Sequence, residues 1–478
     1  MDFTSVSFFL FIIVLFFLYW LFEKKSYKIQ NALIVIASCF FYCLMDWRCF
    51  GLIVITTLSS YYSGLLLERH SSDIRKRKLI HWLNIIINVS ILAFFKYCNF
   101  FIDSFVNLLN VFGCTTDFVT LNIILPLGIS FYTFKAISYS IDVYNRKINP
   151  THDLIAFTAF ITFFLEITAG PIDRATNLLS QLETKRFFKY DVALNGVRQI
   201  LWGLFKKIVI ANNCALYVNS AFANPADKTG GTLALAGILF TIQIYGDFSG
   251  YTDIAIGVGK LFGFNLTKNF NYPYLSRNIA EFWRKWHISL TSWFRDYIYI
   301  PLGGSRCSKW KIIRNTFIVY LVSGLWHGAN WTFVIWGLYH ACLFLPLILT
   351  GRNKKYKDTI ADGKYILTWK EIGQIVCTFV LVTFGWIIFR ADSIEQAGLI
   401  FSKIFTYKPL SIDFTNEYAL YILLSIIMFV VEWFQRKQEH ALCFTKSPKW
   451  IRIMVCFIVL LCIFAFWGNE QTFIYSQF

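Results

Sequence analysis

Apolar runs long enough to cross a bilayer alternate with short polar stretches along the whole chain. Such runs lie near residues 3–22, 30–45, 50–67 and 79–95, then 120–144, 154–170, 193–212 and 231–263. Others follow near 313–349, 371–390, 417–434 and 451–467, and several are broken or paired. A hydrocarbon core of ~30 Å needs about 20 apolar residues per helix, so the pattern predicts an all-α polytopic membrane protein. It fits about 12 crossings, with shorter re-entrant and interfacial helices between them. The first run, Phe3 to Phe22, has neither a basic leader nor a small-residue cleavage site and is read as a retained span. No internal repeat and no long linker interrupts the pattern. It is therefore read as one membrane domain over 1–478, with peripheral spans in 1–120, a core in 121–350, and C-terminal spans with an external tail in 371–478.

Composition agrees: 56% of the 478 residues are hydrophobic and 15% charged. Lys and Arg outnumber Asp and Glu by 17, and the excess sits in short loops. That placement argues for orientation in a membrane rather than for nucleic acid, which is not an expected partner. Clusters at Lys24/Lys25/Lys28, Arg69 to Lys78, Lys185/Arg186/Lys189, Arg352 to Lys370 and Arg436 to Lys449 are predicted cytoplasmic, which places both termini outside. The 12 cysteines form no CxxC pair and lie in apolar segments, including Cys39, Cys377, Cys456 and Cys462. Reduced, buried thiols and no metal site are expected.

Polar chemistry enters the apolar pattern at two places. In "EFWRKWHISLTSWFRDYIYIPLGG" (281–304), a helix over 282–297 gathers Phe282, Trp286, Leu290, Trp293 and Tyr297 within an arc of about 80°. Arg284, His287, Thr291 and Arg295 fall on the opposite arc. The bland reading is an interfacial helix with Arg snorkelling to the headgroups. The sharper one is a cationic wall of an intramembrane cavity that meets an anionic ligand. The following "YIPLGG" ends the helix. In "LVSGLWHGANWTFVIWGLYHA" (321–341), His327 and Asn330 sit mid-run between Gly324 and Gly328, where small residues admit a close neighbour. One intramembrane histidine is commonly a tie between helices, the role that suits His340. Two, His287 and His327, each near a Gly-rich turn, suggest proton transfer to or from a hydroxyl or thiol.

These stretches resemble the membrane-bound O-acyltransferase family, in its bacterial branch of alginate and peptidoglycan O-acetyltransferases. The resemblance is carried by 245–306 ("YGDFSGYTDIAIGVG" through "YIPLGGSR") and by "SGLWHGANWTFVIWGLYHA" (323–341). Further matches are "LPLGISFYTF" (125–134), "AGPIDR" (169–174), "FGWIIFRAD" (384–392) and the terminal "TFIYSQF". Departures are small: Lys285 and Thr291 stand where such proteins tend to carry Arg and Ser, Ala341 where Gly is common, and Ser476 where an aromatic is frequent.

The resemblance implies a catalytic role for His327, with His287 of the WHIS motif as the second polar group. It implies scaffold roles around the reaction chamber for Asp247, Ser249 and Asp253 of the DFSGY-D motif, and Asn330 is grouped with them. Arg284 and Arg295 are candidates for holding the phosphate or pantetheine arm of a donor. The implied donor is acetyl-CoA, a cytosolic co-substrate rather than a bound cofactor. The implied acceptor is an exported or cell-wall polysaccharide outside the bacterial cytoplasmic membrane. The tail suggests Tyr475 as an acyl relay to an external acetyltransferase of the SGNH-hydrolase type, or as a mere docking element. Competing expectations are a family member acting on a lipid or protein acceptor, and a transporter or flippase.

Overall fold

The computed structural model describes residues 2–114, 121, 123–167, 170–413, 416–444, 447–468 and 471–474. Among them all regular structure is helical. Tyr475, the proposed relay, lies outside the described residues. The principal helices are α1 (Val6–Leu21), α2 (Tyr27–Asp46), α3 (Phe50–Arg69), α4 (Ile74–Val111), α5 (Ile129–Tyr144) and α6 (Leu154–Thr162). They are followed by α7 (Tyr190–Leu204), α8 (Asn212–Ala223), α9 (Gly230–Leu261), α10 (Ile279–Lys285), α11 (Ile288–Phe294) and α12 (Lys309–His327). The remainder are α13 (Trp331–Leu349), α14 (Trp369–Arg390), α15 (Ile394–Thr406), α16 (Asn416–Phe434) and α17 (Lys449–Ala465).

Five described segments are long and apolar enough to cross a membrane: Tyr27–Arg69, Ile74–Val111, Gly230–Leu261, Trp331–Leu349 and Trp369–Arg390. Their burial separates core from periphery. The apolar window of α9 is 83% buried and that of α4 only 11%, so α4 offers its side chains to lipid. The same distinction corrects the cysteine expectation. Cys377 is exposed, and Cys39, Cys456 and Cys462 are half-buried, because the apolar faces that carry them point away from the protein core.

The chain forms two compact units, 1–193 with 259–267, and 194–258 with 268–478. In the first, α2, α3, α5 and α6 pack together, and α5 is buried along nearly its whole length. Such burial forces its cation to find a counter-charge: Lys135 pairs with Glu166, both almost fully buried. Arg186 is likewise satisfied, donating to the Tyr19 hydroxyl and to Asn31 Oδ1.

The second unit is built around α9. Glycines on one face of α9 let α7 approach closely; a Cβ on Gly250 would lie 2.8 Å from the Gly203 carbonyl oxygen, and one on Gly203 would lie 2.6 Å from that of Gly250. After α7 the chain is wound as π-helix over Phe205–Ala211. The wider turn aims two successive lysines at α9: Lys206 meets Asp253 at 2.6 Å and Lys207 meets Asp247 at 2.6 Å. Lys206 also donates to Ser249 Oγ at 2.8 Å, and Gln199 donates to Asp253 Oδ1 at 2.8 Å. The acidic and hydroxyl side chains of the DFSGY-D stretch are thereby committed to holding helices together.

Candidate active site

The continuous helix expected over 282–297 is interrupted. Trp286 is extended and His287 takes a left-handed conformation (φ 44), so α10 and α11 are separate short helices. The reason lies upstream, where Asn269 occupies the break. Its carbonyl accepts from the Ile288 N–H at 2.9 Å, and its Oδ1 accepts from the Ser289 N–H at 3.1 Å and hydroxyl at 2.6 Å. Those bonds satisfy donors that a helix turn would otherwise have used. Beyond α11 the chain winds as π-helix (Arg295–Tyr299) and turns at Pro301 to Gly304, which ends the element. Phe282, Trp286, Leu290, Trp293 and Tyr297 are all buried, and Arg284, His287, Thr291 and Arg295 all line one cavity of about 280 Å³, whose wall Trp286 and Leu290 share.

His327 lines that same cavity from the last residue of α12. Its ring stands edge-on to Trp326 (4.9 Å), Trp336 (5.0 Å) and Phe389 (5.4 Å). His287 is 1% exposed and stands edge-on to Phe248 at 4.7 Å, with Trp326 at 6.0 Å. Trp326 therefore touches both imidazoles. Neither ring nitrogen of His287 has a hydrogen-bond partner among the described residues. A buried imidazole in a strained backbone conformation, lining a cavity without a protein partner, is an arrangement that a substrate group can complete.

Of the other sequence candidates, only Arg284 and Arg295 line this cavity. Asn330 caps α13, its Oδ1 accepting from the Thr332 N–H and its Nδ2 donating to the Asp392 carbonyl, each at 3.0 Å. Asp247, Ser249 and Asp253 do not line the histidine cavity. Arg284 sits at the cavity's edge, but its guanidinium donates to three carbonyls, of Asn353 (2.9 Å), Lys355 (2.8 Å) and Tyr356 (3.0 Å). Arg295 chelates Asp296 at 2.7 and 3.1 Å. His340 is fully buried among Trp283, Trp336 and Tyr339, away from the cavity.

Sequence reasoning missed Thr316, Tyr320 and Ser323, which precede His327 along one face of α12 and line the same cavity. Their spacing of three to four residues from one another and from His327 is the signal that could have found them. It also missed Lys354, hidden in a loop that reads as a topogenic basic cluster.

The described residues thus define a helical protein with five segments long and apolar enough to cross a membrane, in which His287 and His327 line one cavity. The profile of MBOAT, the membrane-bound O-acyltransferase family, matches residues 51–372, and the chain belongs to that family as an acyltransferase. It is similar to the probable alginate O-acetylase AlgI of Azotobacter vinelandii, 36% identical over 452 residues that span 93% of this chain and 87% of the relative. It is also similar to the peptidoglycan O-acetyltransferase of Helicobacter pylori (30% identical, covering 93% of this chain and 91% of that one). The teichoic acid D-alanyltransferase of Bacillus subtilis matches over a shorter region, 33% identical across 56% of this chain and 69% of its own length.

Proposed function

We propose that this chain takes an acetyl group from a cytosolic thioester, acetyl-CoA in the simplest case, and passes it across the bacterial cytoplasmic membrane for O-acetylation of an exported or cell-wall polysaccharide. The observation that carries the reading is the joint lining of one cavity by His287 and His327. His327 acts as general base, taking the proton of an attacking hydroxyl as its oxygen adds to the thioester carbonyl. The C–S bond then breaks and the imidazolium returns the proton to the departing thiolate. His287 orients the acyl group or shares the proton. No bound cofactor enters this sequence; acetyl-CoA is consumed as co-substrate.

The attacking hydroxyl on this reading is that of Tyr475, whose aryl ester passes the acetyl group to an external partner of the SGNH-hydrolase type. Support comes from the residues just before it. The Ile474 N–H donates to Asp247 at 2.8 Å, and Lys207 donates to the Gln471 carbonyl at 2.9 Å. Phe473 packs on Tyr251 (4.3 Å) and Phe248 (6.1 Å), and Phe248 in turn abuts His287. An anchored tail beside a site histidine suits acyl transfer better than a loose docking peptide does. Both termini would then face the outside of the membrane.

The test compares O-acetyl content of the exported polymer in cells carrying the wild-type chain and His327→Ala, at matched membrane levels. Loss of acetyl groups at equal protein is expected. Unchanged acetylation would remove His327 from the chemistry, and Tyr475→Phe with full acetylation would remove the relay.

A further inference from the structure

The segment Asn353–Asp358 is tied down from two directions, by Arg284 of α10 and by Arg277 just before that helix. Arg284 donates to the carbonyls of Asn353, Lys355 and Tyr356. Arg277 donates to the Asp358 carboxylate at 3.2 Å and to its carbonyl at 3.1 Å, while stacking over the Tyr356 ring at 4.2 Å. Arg277 is itself fixed by Glu281, at 3.1 Å from both Nε and Nη2. A loop that merely set membrane orientation would need charge alone, not one buried and one exposed guanidinium clamp and a Tyr356 held at φ 61. What the clamps do is hold Asn353 and Lys354 against the histidine cavity, whose wall includes both.

The charge around that mouth has one sign. Arg284, Arg295 and Lys354 line the cavity, and no carboxylate does among the described residues. Arg352, Lys355 and Lys357 flank Lys354 in sequence, and the one acidic group of the segment, Asp358, is paired with Arg277. Since Arg284 and Arg295 are already engaged by protein oxygens, the exposed ammonium of Lys354 is the lining cation best able to meet a ligand. The rest of the wall is largely apolar, with Trp283, Trp286, Leu290, Phe294 and Phe344, and carries the Thr316, Tyr320 and Ser323 hydroxyls on the α12 side. Such a cavity takes a molecule that is apolar and slender at its reactive end and anionic at the other.

We propose that the clamped loop is the phosphate-binding lip of the acyl-donor site, with Lys354 contacting the phosphates of a pantetheine thioester and Arg277 and Arg284 acting as positioning residues that set the loop. The inference rests on the thioester-donor reading above. It names the part of this chain that recognises the donor's anionic end, and it moves that role from Arg284 and Arg295 to Lys354. Free CoA and a carrier-protein phosphopantetheine share the chemistry.

The test measures first-turnover thiol release, in which the acetyl group passes to the chain's own Tyr475 hydroxyl, by the full chain purified in detergent, from acetyl-CoA, from an acetylated phosphopantetheinyl carrier protein, and from phosphate-free S-acetyl-pantetheine. Lys354→Glu is exposed and leaves the clamps intact. It should raise KM, read as the half-saturating donor concentration in that first turnover, by about tenfold or more for a phosphate-bearing donor with the saturating rate little changed, and leave the phosphate-free thioester unaffected. Whichever phosphate-bearing donor shows the KM effect is the source used. Arg284→Ala should reproduce the KM effect through loss of the loop's position, and Arg284→Lys, which cannot reach three carbonyls at once, should not restore it. Wild-type protein that consumes acetyl-CoA or the carrier thioester, with Lys354→Glu indistinguishable from it, overturns the inference alone. Wild-type protein that consumes no thioester overturns the donor reading, and the lip falls with it.

Discussion

Gly324 and Gly337 set how closely α12 and α13 approach, and so where His327 stands. A Cβ added at Gly324 would lie 2.2 Å from the carbonyl oxygen of Phe333, and one added at Gly337 would lie 2.4 Å from that of Tyr320. Ordinary contact begins near 3.4 Å. Both obstacles are backbone, so no rotamer change relieves them and the hairpin must open by about 1 Å, as overpacked interiors do at a cost of about 1–3 kcal/mol. His327 is one turn beyond Gly324 on the same helix, and a displacement of that size in a reacting group can lower a rate by up to ~10²-fold. Gly324→Ala should therefore lower the thermal unfolding midpoint of the detergent-purified protein and cut polymer O-acetylation well beyond what the stability loss explains. Gly398→Ala on α15 is the control: nothing lies within 4 Å of its Cβ position, and Ala is the better helix former. A Gly324→Ala protein with wild-type midpoint and wild-type acetylation would refute the account of how His327 is positioned.

Further expectations follow from the buried pairs and the tail. Lys206→Met leaves the half-buried Asp253 carboxylate with Gln199 as its donor and should destabilise by about 1.5–3 kcal/mol, with much of the loss recovered in Lys206→Met/Asp253→Leu; a double variant no better than the single one would contradict the pairing. Asp247→Asn removes the counter-charge of Lys207 and weakens the acceptor for the Ile474 N–H, so carboxypeptidase should trim the C-terminus faster than in wild type; equal trimming would mean the tail is held by its aromatic packing alone. Arg277 holds the Asp358 carboxyl below its ordinary 3.8, so their contact is fully present above that pH and lost only as pH falls through the lower folded-state value. Hydrogen-exchange protection of 353–358 should accordingly be flat from neutrality down to about pH 4; a drop between pH 7 and 5 would show that another group controls the loop.

Much of the site was legible because the amphipathic pattern of 282–297 encodes which side chains face inward. Its aromatic arc is buried and all four residues of its polar arc line the cavity, although Trp286 and Leu290 of the aromatic arc reach the cavity wall as well. The break at His287 was not legible, since it depends on Asn269 supplying hydrogen bonds from eighteen residues away, and nothing in the local sequence marks it. Asn330, grouped by sequence with the chamber scaffold, caps α13, a role that Asn fills by its own short-range geometry. Cys377 looked like core because an apolar run has the same composition whether it faces protein or lipid. The work of Arg284 was hidden for the opposite reason: its partners lie about seventy residues on, in a segment whose lysines had a sufficient explanation in membrane orientation.

The distribution of charge within the second unit ties these features together. Its buried and half-buried carboxylates are each set against a cation or a donor: Asp253 against Lys206, Asp247 against Lys207, Glu281 against Arg277 and Lys285, and Glu432 against the Tyr245 hydroxyl. None of them borders the histidine cavity. Had one done so, it would have repelled the phosphates of a donor at the mouth. It would also have offered the two histidines a counter-charge, favouring the imidazolium, and a protonated His327 cannot accept a proton from an attacking hydroxyl. Confining acids to the helix interfaces leaves the cavity with cations at the edge and imidazoles among aromatic rings. That order suits a ligand that is anionic at one end and neutral at the reacting carbonyl, and it accounts for why the DFSGY-D carboxylates can be structurally indispensable without touching the reaction.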